Sequence, residues 1–196
     1  MNRTTLFTLT LPAFALLAAC NGNTDADTSV TNNGAAVTEI SSTTENGTMN
    51  TTIATPAMTP QQFADTAAAS DMFEIESGKL AQQKSSTQAL KDFGKMMVDH
   101  HTRSTEALKT AAGKASPALT PVAKLDAEQT ANLEALRGAT GAEFDRLYRD
   151  QQTAAHQKAL AAMQAYGETG DSATLKDFAS STQSVVKSHL ERLQAM

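Results

Sequence analysis

From Thr59 to the C-terminus the chain carries apolar residues at the spacing of a helix and nowhere at the alternating spacing of a strand. Apolar side chains that return every three or four residues share one helix face. Leu175, Phe178, Val185, Val186, Leu190 and Leu193 form one such set. Each stripe must be buried against another element, and here the only partners are other helices. The expected fold is therefore all-α: an antiparallel four-helix bundle with one additional short helix.

Local signals divide this region. Thr59 is a good helix cap and Pro60 suits a first turn, so a helix starts there and runs to about Ser86. A second is expected from about Thr87 to Ala112, ending at Gly113. Pro117 and Pro121 mark a loop, and a short helix is expected over about Val122 to Leu136, stopped by Gly138. The third long helix runs from about Ala142 to Tyr166, stopped by Gly167 and Gly170. Asp171 is expected to cap the fourth. Abundant alanine supports these assignments.

The N-terminal part is of another kind. Arg3 is followed by an apolar run from Leu6 to Ala19 and then by the only cysteine, Cys20. A basic start, a short apolar stretch and small residues at the cut are the order of a secretory signal. The run falls short of the roughly 20 residues needed to span a membrane. Leu17-Ala18-Ala19-Cys20 resembles the bacterial lipobox, which implies cleavage before Cys20 and a lipid on its thiol. Residues 1–19 are thus read as a lipoprotein signal peptide. Asn21 and Gly22 lack the aspartate that resembles an inner-membrane retention signal. The expected address is the cell envelope, as an outer-membrane lipoprotein facing the periplasm and held by its N-terminal anchor.

Residues 20–58 are read as the lipidated cysteine and a disordered tether. They are rich in Asn, Thr, Ser, Gly and Ala, with too little apolar surface to offset the entropy of ordering. As a flexible coil this stretch spans about 34 Å. Residues 59–196 are the bundle domain. A lone cysteine excludes an intramolecular disulfide. The chain's net charge is −5, and four acids with no base lie in residues 21–58, so the bundle is close to neutral. It offers no basic field for a phosphate backbone, and no nucleic-acid partner is expected.

All four histidines lie on expected bundle helices. At about 100° per residue, His100 falls near the middle of the apolar arc of Leu90, Phe93, Met97, Leu108 and Ala111, with His101 turned toward one edge. His189 sits inside the arc of Leu175, Ala179, Val186 and Leu193. Asp145, Gln152, His156 and Met163 form a polar-tinged stripe along the third long helix, stacked on neighbouring turns. Glu74 lines up with Phe63, Ala67 and Ala81, while Glu76 points elsewhere. Imidazoles and carboxylates projecting from facing helices are how bundles build metal sites. This donor set suits iron, zinc, manganese or copper. The candidate ligands are Glu74, His100, Asp145, His156 and His189. The plainer reading is a buried network in which pairs such as Glu74 with His100, or Asp145 with His189, satisfy one another without metal. Met96 and Met97 beside the histidines hint at copper, but methionines at helical spacing are usually core filler.

Several segments resemble, in order, those of a bacterial envelope family known as domain of unknown function 4142 and described as ferritin-like. They are Glu74-Ile75-Glu76-Ser77-Gly78-Lys79-Leu80-Ala81, Met96-Met97-Val98-Asp99-His100, Phe144-Asp145-Arg146-Leu147-Tyr148, Ala154-Ala155-His156-Gln157-Lys158-Ala159-Leu160, Leu175-Lys176-Asp177-Phe178-Ala179 and His189-Leu190. The resemblance covers about residues 60–194. It implies a ferritin-like bundle with recurrent polar positions at Glu74, Asp99, His100, Asp145, His156 and His189. Where the family usually has Leu-Pro before the last histidine, this chain has Gln183-Ser184, so a proline kink is absent there.

Two functions follow as expectations. One is an envelope lipoprotein whose bundle binds a transition metal, as a metal buffer or weak oxidase. The other is a non-enzymatic envelope stress or interaction protein with a metal-free polar network. No nucleophile elbow, phosphate-binding glycine loop or haem attachment motif is present, and no catalytic residue is assigned. The anchor is directly testable. Cys20→Ser is expected to lose fatty-acid labelling and move from the membrane fraction to the soluble fraction; a variant that stays labelled and membrane-bound would contradict it.

Overall fold

The computed structural model describes residues 58–196. The expected signal peptide, Cys20 and all of the tether except Met58 lie outside the described residues. Five helices and no strand occur among the described residues: α1 Pro60–Lys84, α2 Gln88–Gly113, α3 Ala127–Gly138, α4 Gly141–Thr169 and α5 Ala173–Gln194. None is long and apolar enough to cross a membrane.

The caps explain most boundaries. The Thr59 hydroxyl accepts from the Gln62 N–H at 3.2 Å, and the Gln62 side chain accepts from the Thr59 N–H at 2.9 Å. This reciprocal box, with Pro60 behind it, starts α1 where the sequence signals put it. Thr87 caps α2 through the Leu90 N–H. Three expectations shift. The short helix begins at Ala127, because Asp126 and Gln129 form a second capping box. The stretch before it is held open by Asp65, which accepts from the Val122 N–H at 2.8 Å, and by Gln61, which donates to the Thr120 carbonyl at 2.9 Å. Gly167 does not stop α4, which continues to Thr169 with Gly170 as its cap. A Cβ at Gly167 would lie 3.2 Å from both Ser180 and Gln183 side chains, so the glycine lets α5 come close. The α5 cap is Ser172 rather than Asp171.

Two apolar clusters fix how the helices run. At one pole Phe63, Leu108, Ala112, Met163, Tyr166, Leu175 and Phe178 pack together, with Met58 and Leu119 against them. At the other pole Ala81, Leu90, Phe93, Met97, Leu136, Phe144, Tyr148 and Leu193 do so. The start of α1 thus meets the ends of α2 and α4 and the start of α5. Every neighbouring pair of long helices is antiparallel. Because α2 ends at the first pole and α4 begins at the second, residues 114–140 must travel the length of the bundle, carrying α3 with them. Two helical hairpins joined by one long crossover is the ferritin-like arrangement. The crossover is fastened at its far end by Lys84, which donates to the carbonyls of Leu136 and Arg137.

The tightest helix contact is between Gly78 on α1 and Gly94 on α2. A Cβ at either position would sit 2.7 Å from the backbone oxygen of the other glycine. A backbone atom cannot swing aside, so Gly94→Ala must push the hairpin apart. It is expected to cost about 1–3 kcal/mol in urea denaturation. An unchanged midpoint would show that the helices are not held this closely.

Candidate metal centre

Between the two apolar poles lies a buried polar belt to which all four long helices contribute. It holds Asp71 (4% exposed) and Glu74 (1%) from α1, His101 (8%) from α2, His156 (2%) from α4 and His189 (1%) from α5. No Lys or Arg is buried among the described residues. Two carboxylates therefore face histidines with no fixed cation to balance them.

One nitrogen from each of His101, His156 and His189 lies within 4.8 Å of the others. Hydrogen bonds fix how the rings present themselves. His156 Nδ1 is 2.9 Å from the Gln152 carbonyl oxygen. A carbonyl only accepts, so Nδ1 carries the proton and His156 Nε2 is an acceptor. His189 Nδ1, at 3.1 Å, donates to that Nε2, and His189 Nε2 accepts from His100 Nδ1 at 2.8 Å. The Glu74 carboxylate lies 3.6 Å from His156 Nδ1. His101 Nδ1 lies 2.8 Å from Asp71, whose other oxygen accepts from the Thr105 hydroxyl at 3.2 Å. Asp71 therefore orients the His101 ring and leaves Nε2 to point inward. That Nε2 is buried and has no partner, and neither has Glu74 Oε2.

Electrostatics follow from this packing. Burial lowers the pKa of His156 and of His100. Burial, reinforced by the neighbouring histidines, pushes His189 down to about 3. These rings are neutral at neutral pH, the form that ligates metal. Burial would also lower His101, but the Asp71 hydrogen bond and the charges of Glu74 and Asp71 outweigh it and raise its pKa. The centre thus favours positive charge at His101. Burial and the Glu74 charge push the Tyr148 phenol well above its ordinary value.

The sequence candidates are only partly brought together. Glu74, His156 and His189 share the belt. His100 is half-buried at its edge and reaches it through His189, whereas its neighbour His101 is the inward ring. Asp145 is not brought to the histidines. It accepts from the backbone N–H of Ser86 at 3.1 Å and from the Ser86 hydroxyl, tying α4 to the α1–α2 turn. Burial would raise its pKa, but the bonds from the Ser85–Ser86 turn lower it. It lies eleven residues from His156, about 16 Å along the helix, so sharing a stripe does not mean sharing a height. Asp99 is exposed. The expected pairs, Glu74 with His100 and Asp145 with His189, are replaced by Glu74 with His156 and His189 with two imidazoles. Asp71 and His101 were missed. Asp71 falls four residues after Ala67 and three before Glu74, and His101 falls four after Met97, so the helical spacing carried both.

A pH response follows. With a folded pKa below the unfolded value, His100, His156 and His189 refuse protons that the unfolded chain accepts below about pH 6.5. Their contribution is full above that pH and is lost as pH falls, for His189 down to about 3. His101, raised, acts in the opposite sense: its contribution is full below about pH 6.5 and is lost as pH rises through its folded value. The metal-free protein is expected to lose melting temperature steadily from pH 6.5 to 4. His189→Gln should flatten that slope by about one proton; an identical slope would contradict the burial of a neutral ring there.

The family described as "Domain of unknown function (DUF4142)" matches residues 46–196. No curated protein matches the chain by sequence. Two solved structures share the fold. CopM in the Cu(I)-bound form aligns with a TM-score of 0.58 and 16% identity, covering 70% of this chain and 94% of that one. CopM in the Cu(II)-bound form aligns with a TM-score of 0.60 and 17% identity, covering 71% and 96%. At such identities the likeness is one of fold.

Proposed function

This chain belongs to the domain of unknown function 4142 family, and we propose that the centre of its bundle binds a copper ion. The observation that carries the reading is the unpartnered, buried Nε2 of His101, set among two imidazoles and the carboxylates of Glu74 and Asp71. Leaving such a nitrogen unpaired is costly, and a cation relieves both its free lone pair and the excess negative charge. His101, His156 and His189 would hold the ion. Glu74 supplies the nearest carboxylate, and Asp71 holds the His101 ring in place, as a carboxylate behind a ligating histidine commonly does.

Imidazole ligation suits copper, zinc, iron and nickel, and among divalent ions copper binds such sites most strongly. The fold shared with copper-bound CopM points the same way. The cavity beside the histidines measures about 30 Å³, room for an ion or a single water and not for an organic substrate. With the N-terminal signal and anchor read from Leu17 to Cys20, the bundle would buffer or carry copper at the envelope.

A second reading has its own support. The run from Gln152 through His156 and His189 to His100 is internally satisfied, as a metal-free network that fixes helix register would be. Elemental mass spectrometry on desalted protein after copper incubation separates the two. About one equivalent per chain is expected, lost in His101→Ala. Asp71→Asn should weaken the affinity by about 10–100-fold. Full occupancy in His101→Ala, or none in the parent chain, would favour the metal-free network.

A further inference from the structure

His100 is the one histidine that touches both solvent and the belt. It is half-buried, its Nδ1 lies 2.8 Å from His189 Nε2, and the two rings stack with centroids 5.1 Å apart. It also stands where two cavities join. A surface pocket of about 320 Å³ lies between α2 and α5, with Arg103 and Phe178 on its walls. The small cavity that reaches His101 and His189 shares His100, Ser104, Thr182 and Val185 with it.

We infer that His100 is the loading residue of the buried centre, passing metal ions between the α2–α5 pocket and His189. The inference rests on the copper reading above and deepens it. An ion moving inward must shed water and take ligands in exchange, and of the four residues the two cavities share, His100 carries the strongest ligand, Ser104 and Thr182 offering only neutral hydroxyls. An imidazole at the rim supplies a ligand at that moment, and His189 is the next within reach. On the opposite face the carboxylates are engaged elsewhere, Glu128 with Lys158 and Asp126 with the start of α3. There a pocket of about 140 Å³ against α1 and α4 meets the inner cavity only at Ser70 and Ala159, and no histidine lines it. The function of His100 is then chiefly kinetic: it lowers the barrier in both directions.

Stopped-flow mixing of the full chain with a copper(II) salt measures loading, and transfer to an excess chelator measures release. His100→Phe keeps the ring and removes the nitrogens. It is expected to slow loading by about tenfold or more and to slow release with it, any change in Kd from the lost hydrogen bond to His189 staying smaller than that factor. His100→Asp, which returns a ligating atom to the rim, should recover part of both rates. Val185→Trp, a substitution at an exposed wall of the mouth, should slow both while His100 remains, and it carries the test if His100→Phe does not fold. A weaker Kd with unchanged loading would make His100 an ordinary ligand and overturn the inference. Unchanged rates, or slowing by Ala159→Phe in place of the α2–α5 variants, would move the path to the α1–α4 face and overturn it too. A parent chain that takes no copper would instead defeat the metal reading beneath it.

Discussion

Two carboxylates buried at mid-height of a helical bundle, with no lysine or arginine beside them, set the terms for everything around them. A carboxylate removed from water costs several kcal/mol unless its charge is balanced and its oxygens are hydrogen-bonded. Asp71 and Glu74 meet part of that demand with His101, Thr105 and His156. The remainder shows as a raised pKa at His101 and as the unpartnered His101 Nε2 and Glu74 Oε2. The apolar poles help bury this belt, and burial is why its charges act strongly on one another.

The scaffold that holds the belt was largely legible in the sequence. Thr59 and Pro60 began α1, Thr87 began α2, and Gly138 and Gly170 ended α3 and α4, because each signal acts within one helical turn. Two of the misplaced points were local, since the Asp126–Gln129 box and the Ser172 cap act within one turn, and the rest depended on long-range contacts. Nothing local announces that Asp65 and Gln61 hold the crossover open ahead of α3, or that Gly167 is there for the approach of α5.

The site was legible in direction but not in height. Helical spacing turned Glu74, His156 and His189 inward, and they meet. It also turned Asp145 inward, two poles apart in purpose: it locks a turn at the end of the bundle. The choice between His100 and His101 was misjudged: at about 100° per residue His101 lies about 20° from Leu90 and Leu108, and His100 about 80°. Gly94 and Ala112 are buried as well, and the stripe they define with Met97 and Leu108 passes through His101. Small residues weigh little in an apolar count, yet they mark where backbones come closest.

A buried belt, a small cavity beside it and a half-buried imidazole at its rim are the features on which the proposed copper site rests. X-ray absorption at the copper edge of the loaded protein tests the ligand set most directly. Three imidazoles leave strong multiple-scattering features and a first shell of nitrogen and oxygen alone. The account requires that spectrum. A first shell containing sulfur, or no more than one imidazole, would place the copper elsewhere and contradict it.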